Sequence, residues 1–109
     1  MENLVIFMAL LQLTMIPMGE GISVADHVAK IQERLIREQA NFQLNDMGTL
    51  IEGDIQHLLT ILGKIYEVPF ENGAVRVVTN ITIDDRRDKK IHIGDKTNSV
   101  LKKITGVNR

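Results

Sequence analysis

The stretch that decides the fold is "NFQLNDMGTLIEGD", residues 41–54. Its first part alternates apolar and polar side chains, which is typical of a strand, and Asn45-Asp46 is a pair that favours a turn. A second strand follows over Met47–Glu52, and Gly53-Asp54 then ends that strand and caps a helix. The stretch therefore predicts a β-hairpin that leads directly into a helix.

The remaining elements follow from the same rules of periodicity and capping. Ser23, with Asp26 three residues later, predicts the start of a helix that ends near Gln39. The other predicted elements are a strand over Leu4–Met15, a helix after Asp54 with its apolar stripe from Ile55 to Tyr66, a strand over Ala74–Asp84 and a short helix over Ser99–Ile104. The order β-α-β-β-α-β predicts one ferredoxin-like α+β domain over residues 1–109. It would have an antiparallel sheet with two helices on one face, plus the short C-terminal helix.

Composition narrows the classes of partner. The chain has 109 residues and a formal net charge of −1, so it lacks the positive field that recruits nucleic acid or an acidic membrane surface. It contains no cysteine, which excludes disulfides, thiolate metal sites and cysteine nucleophiles and is typical of a cytoplasmic protein. We predict no nucleic-acid partner, no metal and no cofactor.

The apolar N-terminal run raises the alternative of a signal peptide or membrane helix. Glu2 precedes the run without any Lys or Arg, and Gln12 and Thr14 interrupt it before it reaches the ~18 residues of a membrane span. A strand is the preferred interpretation. Because its two faces both look apolar and two helices cover only one, we predict that the open sheet face packs on another copy, in a dimer or tetramer.

Glu52 is the candidate for function that the residues themselves indicate. A carboxylate among apolar residues needs a cation, several donors or a ligand that supplies them. One interpretation is a structural carboxylate bound by backbone donors at a helix start. The other is an anchor for a cationic or amidine-like heterocycle, with Gly48 and Gly53 allowing a ring to approach. Thr49 falls on the opposite face of the strand.

Other chemistry-bearing residues give weaker signals. In "IDDRRDKK", residues 83–90, the basic side chains are offset by aspartates, and no aromatic residue is interleaved for base stacking, so ion pairs are expected. Asp84 and Arg86 could edge a pocket or an interface. The histidines His27, His57 and His92 lack metal-ligand spacing and are predicted to lie at the surface. No nucleophile with an adjacent base is recognisable.

Three segments taken together resemble the small thiamine-binding protein family. They are "IPMGEGISV" at Ile16–Val24, "MGTLIEGD" at Met47–Asp54 and "ITIDDRRDK" at Ile81–Lys89, followed by Lys96, Ser99 and Val100. The resemblance covers nearly the whole chain. It implies a ferredoxin-like subunit, association into dimers and tetramers through the sheets, and a pocket for thiamine (vitamin B1) or its hydroxymethylpyrimidine half.

The resemblance also implies ligand-binding residues: Ser23, Asn45, Met47, Thr49 and Glu52. An aminopyrimidine can present two parallel donors to a carboxylate, so Glu52→Gln is predicted to weaken binding and leave oligomerisation intact. The leading hypothesis is a non-catalytic, cytoplasmic binding protein for a thiamine-like molecule. The alternatives are a structural or regulatory homo-oligomer without a small ligand and, third, an enzyme acting on a thiamine precursor.

Overall fold

The computed structural model describes residues 6–19, 21 and 23–104, and it confirms the predicted ferredoxin-like α+β fold. Along the chain, the elements are β1 (Ala9–Pro17), α1 (Val24–Arg37), β2 (Asn41–Asn45), β3 (Gly48–Gly53), α2 (Ile55–Tyr66), α3 (Val68–Glu71), β4 (Val77–Asp84) and α4 (Asp95–Lys103). The strands form an antiparallel sheet in the order β2-β3-β1-β4. The hairpin of β2 and β3 therefore lies at one edge, with β1 inside the sheet.

The hydrophobic core fills the space between one face of the sheet and the helices α1 and α2. Alternate residues of β1 and β3 point into it, as a strand period of two requires. Its members are Ala9, Leu11, Leu13, Met15, Ile31, Leu35, Ile51, Leu58, Ile61, Ile65 and Val68. The caps predicted from sequence are confirmed. The side chain of Ser23 accepts a hydrogen bond from the Asp26 N–H, and that of Asp54 accepts one from the His57 N–H. Both core helices are thus fixed at their N-termini.

Gly48 is required where the hairpin passes close to β1. Its φ is 156°, and a Cβ at this position would lie 3.1 Å from both the Leu13 carbonyl oxygen and the Thr14 Cγ2. A larger residue would push the tip of the hairpin away from β1. The glycine therefore sets the width of the gap between these strands.

The first strand differs from the prediction. Within the described residues it begins at Ala9, residues 6–8 lie outside any strand, and residues 4–5 of the predicted strand lie outside the described part. Its open face carries Gln12 and Thr14 besides the apolar Leu10 and Ile16. The prediction of two apolar faces was wrong in this respect, because the register turns the interrupting polar residues away from the core.

The C-terminal segment also differs in extent. The helix α4 begins at Asp95 rather than Ser99, where the Asp95 carboxylate accepts a hydrogen bond of 2.9 Å from the His92 N–H. The preceding Gly94 has a φ of 96°, which favours glycine. Lys96 pairs with Asp84 at the end of β4. The segment is thereby attached to the open side of the sheet, opposite α1 and α2.

Candidate functional site

A cavity of ≈ 450 Å³ lies between the first half of α1 and the turn that joins β2 to β3. Three of the residues predicted to bind a ligand line it together: Asn45, Met47 and Thr49. The rest of the lining consists of Leu13, Thr14, Met15, Ile16, Val24, Val28, Ile31, Gln32, Leu44, Asp46 and Gly48. Most of these side chains are apolar. The cavity therefore suits a ring with a few polar groups on its edge.

The wall of the cavity follows from the helical period of α1. Val24, Val28 and Gln32 recur every four residues, so they lie along one face of the helix. The rim of the cavity is apolar and exposed to solvent, since Val24 is 50% exposed and Met47 is 82% exposed. Exposed apolar side chains around a concavity are typical of binding surfaces.

Gln32 is a polar residue of this site that the sequence analysis missed. Its Nε2 donates a hydrogen bond of 3.0 Å to the Thr49 Oγ1, joining α1 to β3. Its Oε1 is shielded from water and has no hydrogen-bond partner in the described part of the chain. The sequence did contain a signal for Gln32. It follows Val28 by one turn, so its amide interrupts the apolar face of the helix.

Ser23 lies next to the cavity in sequence but is not part of its lining. Its hydroxyl accepts a hydrogen bond of 3.2 Å from the Asp26 N–H, and the residue is exposed. Capping thus already uses its oxygen as an acceptor. Its role as a ligand-binding residue stays a prediction.

Glu52 lies away from the cavity, on the open face of the sheet. Its Oε1 accepts a hydrogen bond of 2.7 Å from the Ile93 N–H, and its Oε2 lies 3.1 Å from both the Asn41 Nδ2 and the His92 Nδ1. Only 10% of its side chain is exposed. The chain itself therefore supplies donors to both carboxylate oxygens. This is the geometry of the structural interpretation, with the donors coming from Asn41 of β2 and from the segment before α4.

Asp84 and Arg86 also lie outside this cavity. Asp84 lines a separate hollow of ≈ 360 Å³ on the open face, and Arg86 lines a groove of ≈ 590 Å³ beside α4. Arg86 is held by Asp88, with its Nε 2.7 Å from Oδ1. Arg87 pairs with Asp85, with its Nη2 2.9 Å from Oδ2. The ion pairs predicted for this run are thus present.

The Arg86 guanidinium lowers the pKa of the Asp88 carboxyl from its ordinary value of 3.8 to about 2, chiefly through their hydrogen bonds. Because the folded-state pKa is depressed, the pair's contribution to stability is present above the ordinary pKa and is lost as pH falls toward 2. We expect an NMR titration of Asp88 to have its midpoint near 2, and Arg86→Ala to return it toward 3.8. An unchanged midpoint in the variant would contradict this cause.

The histidines are distributed differently from the prediction. His57 and His92 are exposed, but His27 is 6% exposed on the inner side of α1, so its predicted surface position was wrong. The helical period decides this, because His27 precedes the buried Ile31 by one turn.

Within residues 6–19, 21 and 23–104, no group of three metal-ligating side chains is present. No helix in that part of the chain is long and apolar enough to cross a membrane.

Comparison with known proteins identifies the family of this chain. The family model described as thiamine-binding protein matches residues 11–101, so the chain belongs to the thiamine-binding protein family. It is 45% identical over 102 residues to the UPF0045 protein YqgV of Bacillus subtilis, covering 89% of this chain and 98% of the relative. It is 43% identical over 100 residues to a UPF0045 protein of Staphylococcus xylosus, covering 87% and 94%.

A solved structure supports the fold independently. A domain of unknown function from Bacillus cereus superposes with a TM-score of 0.77, covering 98% of this chain and 100% of that one. The identity between the two is 21%, so this likeness concerns the fold.

Proposed function

We propose that this protein is a non-catalytic, cytoplasmic binding protein for thiamine or a related aminopyrimidine such as hydroxymethylpyrimidine. The ligand would occupy the cavity between α1 and the β2–β3 turn. The observation that carries the proposal is that a mainly apolar cavity brings together Asn45, Met47 and Thr49 in a chain of the thiamine-binding family.

The physical properties of the cavity support this ligand class. Its volume of ≈ 450 Å³ falls in the range of roughly 300–1,000 Å³ that small-molecule sites occupy. Its apolar wall would remove the faces of a heterocycle from water. Among the lining residues that the structure describes, only Asp46 is charged, and it is exposed at the turn. A carboxylate there would favour a ligand that carries positive charge.

The proposal assigns the polar contacts to Thr49 and Asn45 and the apolar cover to Met47. Glu52 is assigned a structural part, because its carboxylate holds the segment at His92 and Ile93. An enzymatic role is not favoured, because the described part of the cavity lining contains no histidine, lysine or arginine that could pair with a carboxylate for acid-base chemistry.

A thermal-shift series tests the proposal. Thiamine, its phosphates and hydroxymethylpyrimidine are added separately to the purified protein. A ligand at one hundred times its dissociation constant is expected to add about 2.7 kcal/mol, which raises the melting temperature of a small domain by several degrees. No shift with any compound, in protein shown to be folded, would contradict the proposal.

Glu52→Gln separates the two sites. The affinity for the pyrimidine is expected to stay within about twofold of the parent, because the carboxylate lies on the other face of the sheet. Weaker hydrogen bonds to Ile93 and His92 should instead speed amide hydrogen exchange in the segment 91–97. Loss of binding with unchanged exchange would return Glu52 to the role of ligand anchor.

A second proposal concerns assembly. Ile16 and Val78 face each other on the open side of the sheet and are 43% and 38% exposed, which favours burial against another copy. We expect size-exclusion chromatography with light scattering to give the molar mass of a dimer or a tetramer. A tetramer would be a dimer of dimers. A mass of 12.3 kDa, that of one chain, would contradict this. A folded oligomer without any ligand-induced shift would support the structural alternative.

A further inference from the structure

We propose that Gln32 determines which ring the cavity accepts, by selecting a heterocycle that presents an amino group over one that presents a carbonyl at the same position. This inference rests on the proposed function, since it concerns the same cavity. The residue lies outside the set that the sequence resemblance implied. It contributes the side-chain amide of α1 to the cavity wall.

A hydrogen bond to β3 orients the Gln32 amide. The Gln32 Nε2 donates to the Thr49 Oγ1 at 3.0 Å, and Thr49 is only 5% exposed. This hydrogen bond uses one of the two N–H donors of Nε2 and directs that end of the amide toward β3. The acceptor end, Oε1, has no partner among the described residues, and it would meet a ligand after a rotation of the side chain toward the cavity.

The Gln32 Oε1 lacks a hydrogen-bond donor among the described residues. This oxygen is also shielded from water. A buried polar atom without a partner is uncommon and unfavourable. An amine that enters from the cavity side, with a small adjustment of the side chain, would supply the missing donor. A carbonyl would instead place a second acceptor against the first.

The neighbouring polar groups do not replace Gln32 in this role. The Asn45 Oδ1 already accepts a hydrogen bond of 3.1 Å from the Gln43 Nε2. Asp46 is exposed at the turn, so its carboxylate is solvated. Gln32 is thus the partly buried acceptor of the wall that lacks a donor. A site whose buried acceptor is matched by one ligand and unmatched by another discriminates strongly between them.

The test compares two ligands by calorimetry on the full chain. One is hydroxymethylpyrimidine with its ring amino group, and the other is the analogue with a carbonyl in place of that group. The parent protein is expected to bind the amino compound about tenfold or more tightly. In Gln32→Met, which keeps the length and removes the acceptor, the ratio should fall to within about twofold. Gln56→Met, on the exposed side of α2, is the matched control and should keep the parent ratio.

Thr49→Val provides an independent variant with nearly the same volume. It removes the oxygen that orients the Gln32 amide, so the amide can turn its Nε2 toward the ligand. Because Thr49 is also assigned a polar contact to the ligand, the variant is judged by the ratio of the two affinities, and we expect this ratio to shift toward the carbonyl analogue. A ratio equal to that of the parent protein would overturn the positioning role of Thr49.

Two outcomes can be read from the parent protein alone, without any variant. Equal affinity for the two compounds, or a preference for the carbonyl analogue, would overturn the inference while leaving the proposed function intact. Failure of both compounds and of thiamine to bind would overturn the proposed function together with the inference. A preference for the amino compound that persists in Gln32→Met would assign the selection to another residue.

Discussion

Val28→Phe is expected to abolish ligand binding while the protein stays folded. Val28 is half-buried on the face of α1 that lines the cavity, so a benzyl side chain there would extend into the space of ≈ 450 Å³. A ligand ring and the phenylalanine ring would then compete for the same volume. We expect the affinity for thiamine or hydroxymethylpyrimidine to fall by about 100-fold or more, since the apolar cover of the ring and its polar contacts are lost together.

The matched control is Ile36→Phe on the same helix. Ile36 is 65% exposed and lies outside the cavity lining, so the added ring would point to solvent. Calorimetry on both variants, after circular dichroism shows that each is folded, makes the comparison. Parent-like affinity in Val28→Phe would place the ligand elsewhere. A loss in Ile36→Phe as well would indicate a general effect of bulk on α1.

The second large effect is expected from Leu11→Ala in the core. Leu11 is fully buried in β1, which pairs with β3 on one side and β4 on the other. Truncation of a buried leucine removes apolar burial and leaves a cavity, at about 2–5 kcal/mol. For a domain of this size each kcal/mol lowers the melting temperature by roughly 4–8 °C. We therefore expect a large fall in the unfolding midpoint.

Denaturant unfolding measures the free energy of unfolding of Leu11→Ala, and Ile36→Ala is the control variant. The exposed position should change the free energy of unfolding by less than about 0.5 kcal/mol, because little surface there is removed from water. Similar values for the two variants would contradict the assignment of the core to the helix side of β1.

The fold was predictable because its main signals are local. The hairpin residues 41–54 contain both strands, the turn and the cap of α2 in one continuous stretch. Ser23 and Asp54 cap their helices through hydrogen bonds to a residue only three positions away. Interactions of such short range follow from the sequence pattern alone. The alternation that separates Thr49 from Glu52 was likewise readable from the strand period.

The candidate site was less predictable because its decisive contacts are long-range. The Gln32 amide meets Thr49 across 17 positions, and the Ile93 N–H meets the Glu52 carboxylate across 41. Neither partner could be deduced from local periodicity. The sequence therefore left Glu52 open between a structural carboxylate and a ligand anchor, because its donors in Asn41 and in the segment before α4 lie far away along the chain. The start of β1 was missed for a related reason, since strand pairing with β3 and β4 sets where the strand begins.

The ligand is proposed to occupy the cavity beside α1 and not the open face that carries Glu52. Methyl-labelled NMR of the full chain, titrated with thiamine, distinguishes the two locations. We expect the methyl signals of Val28, Met47 and Thr49 to shift with added ligand, while those of Leu10 and Leu50 on the open face stay in place. Shifts confined to Leu10 and Leu50, with Val28 and Thr49 unchanged, would place the ligand on the open face instead.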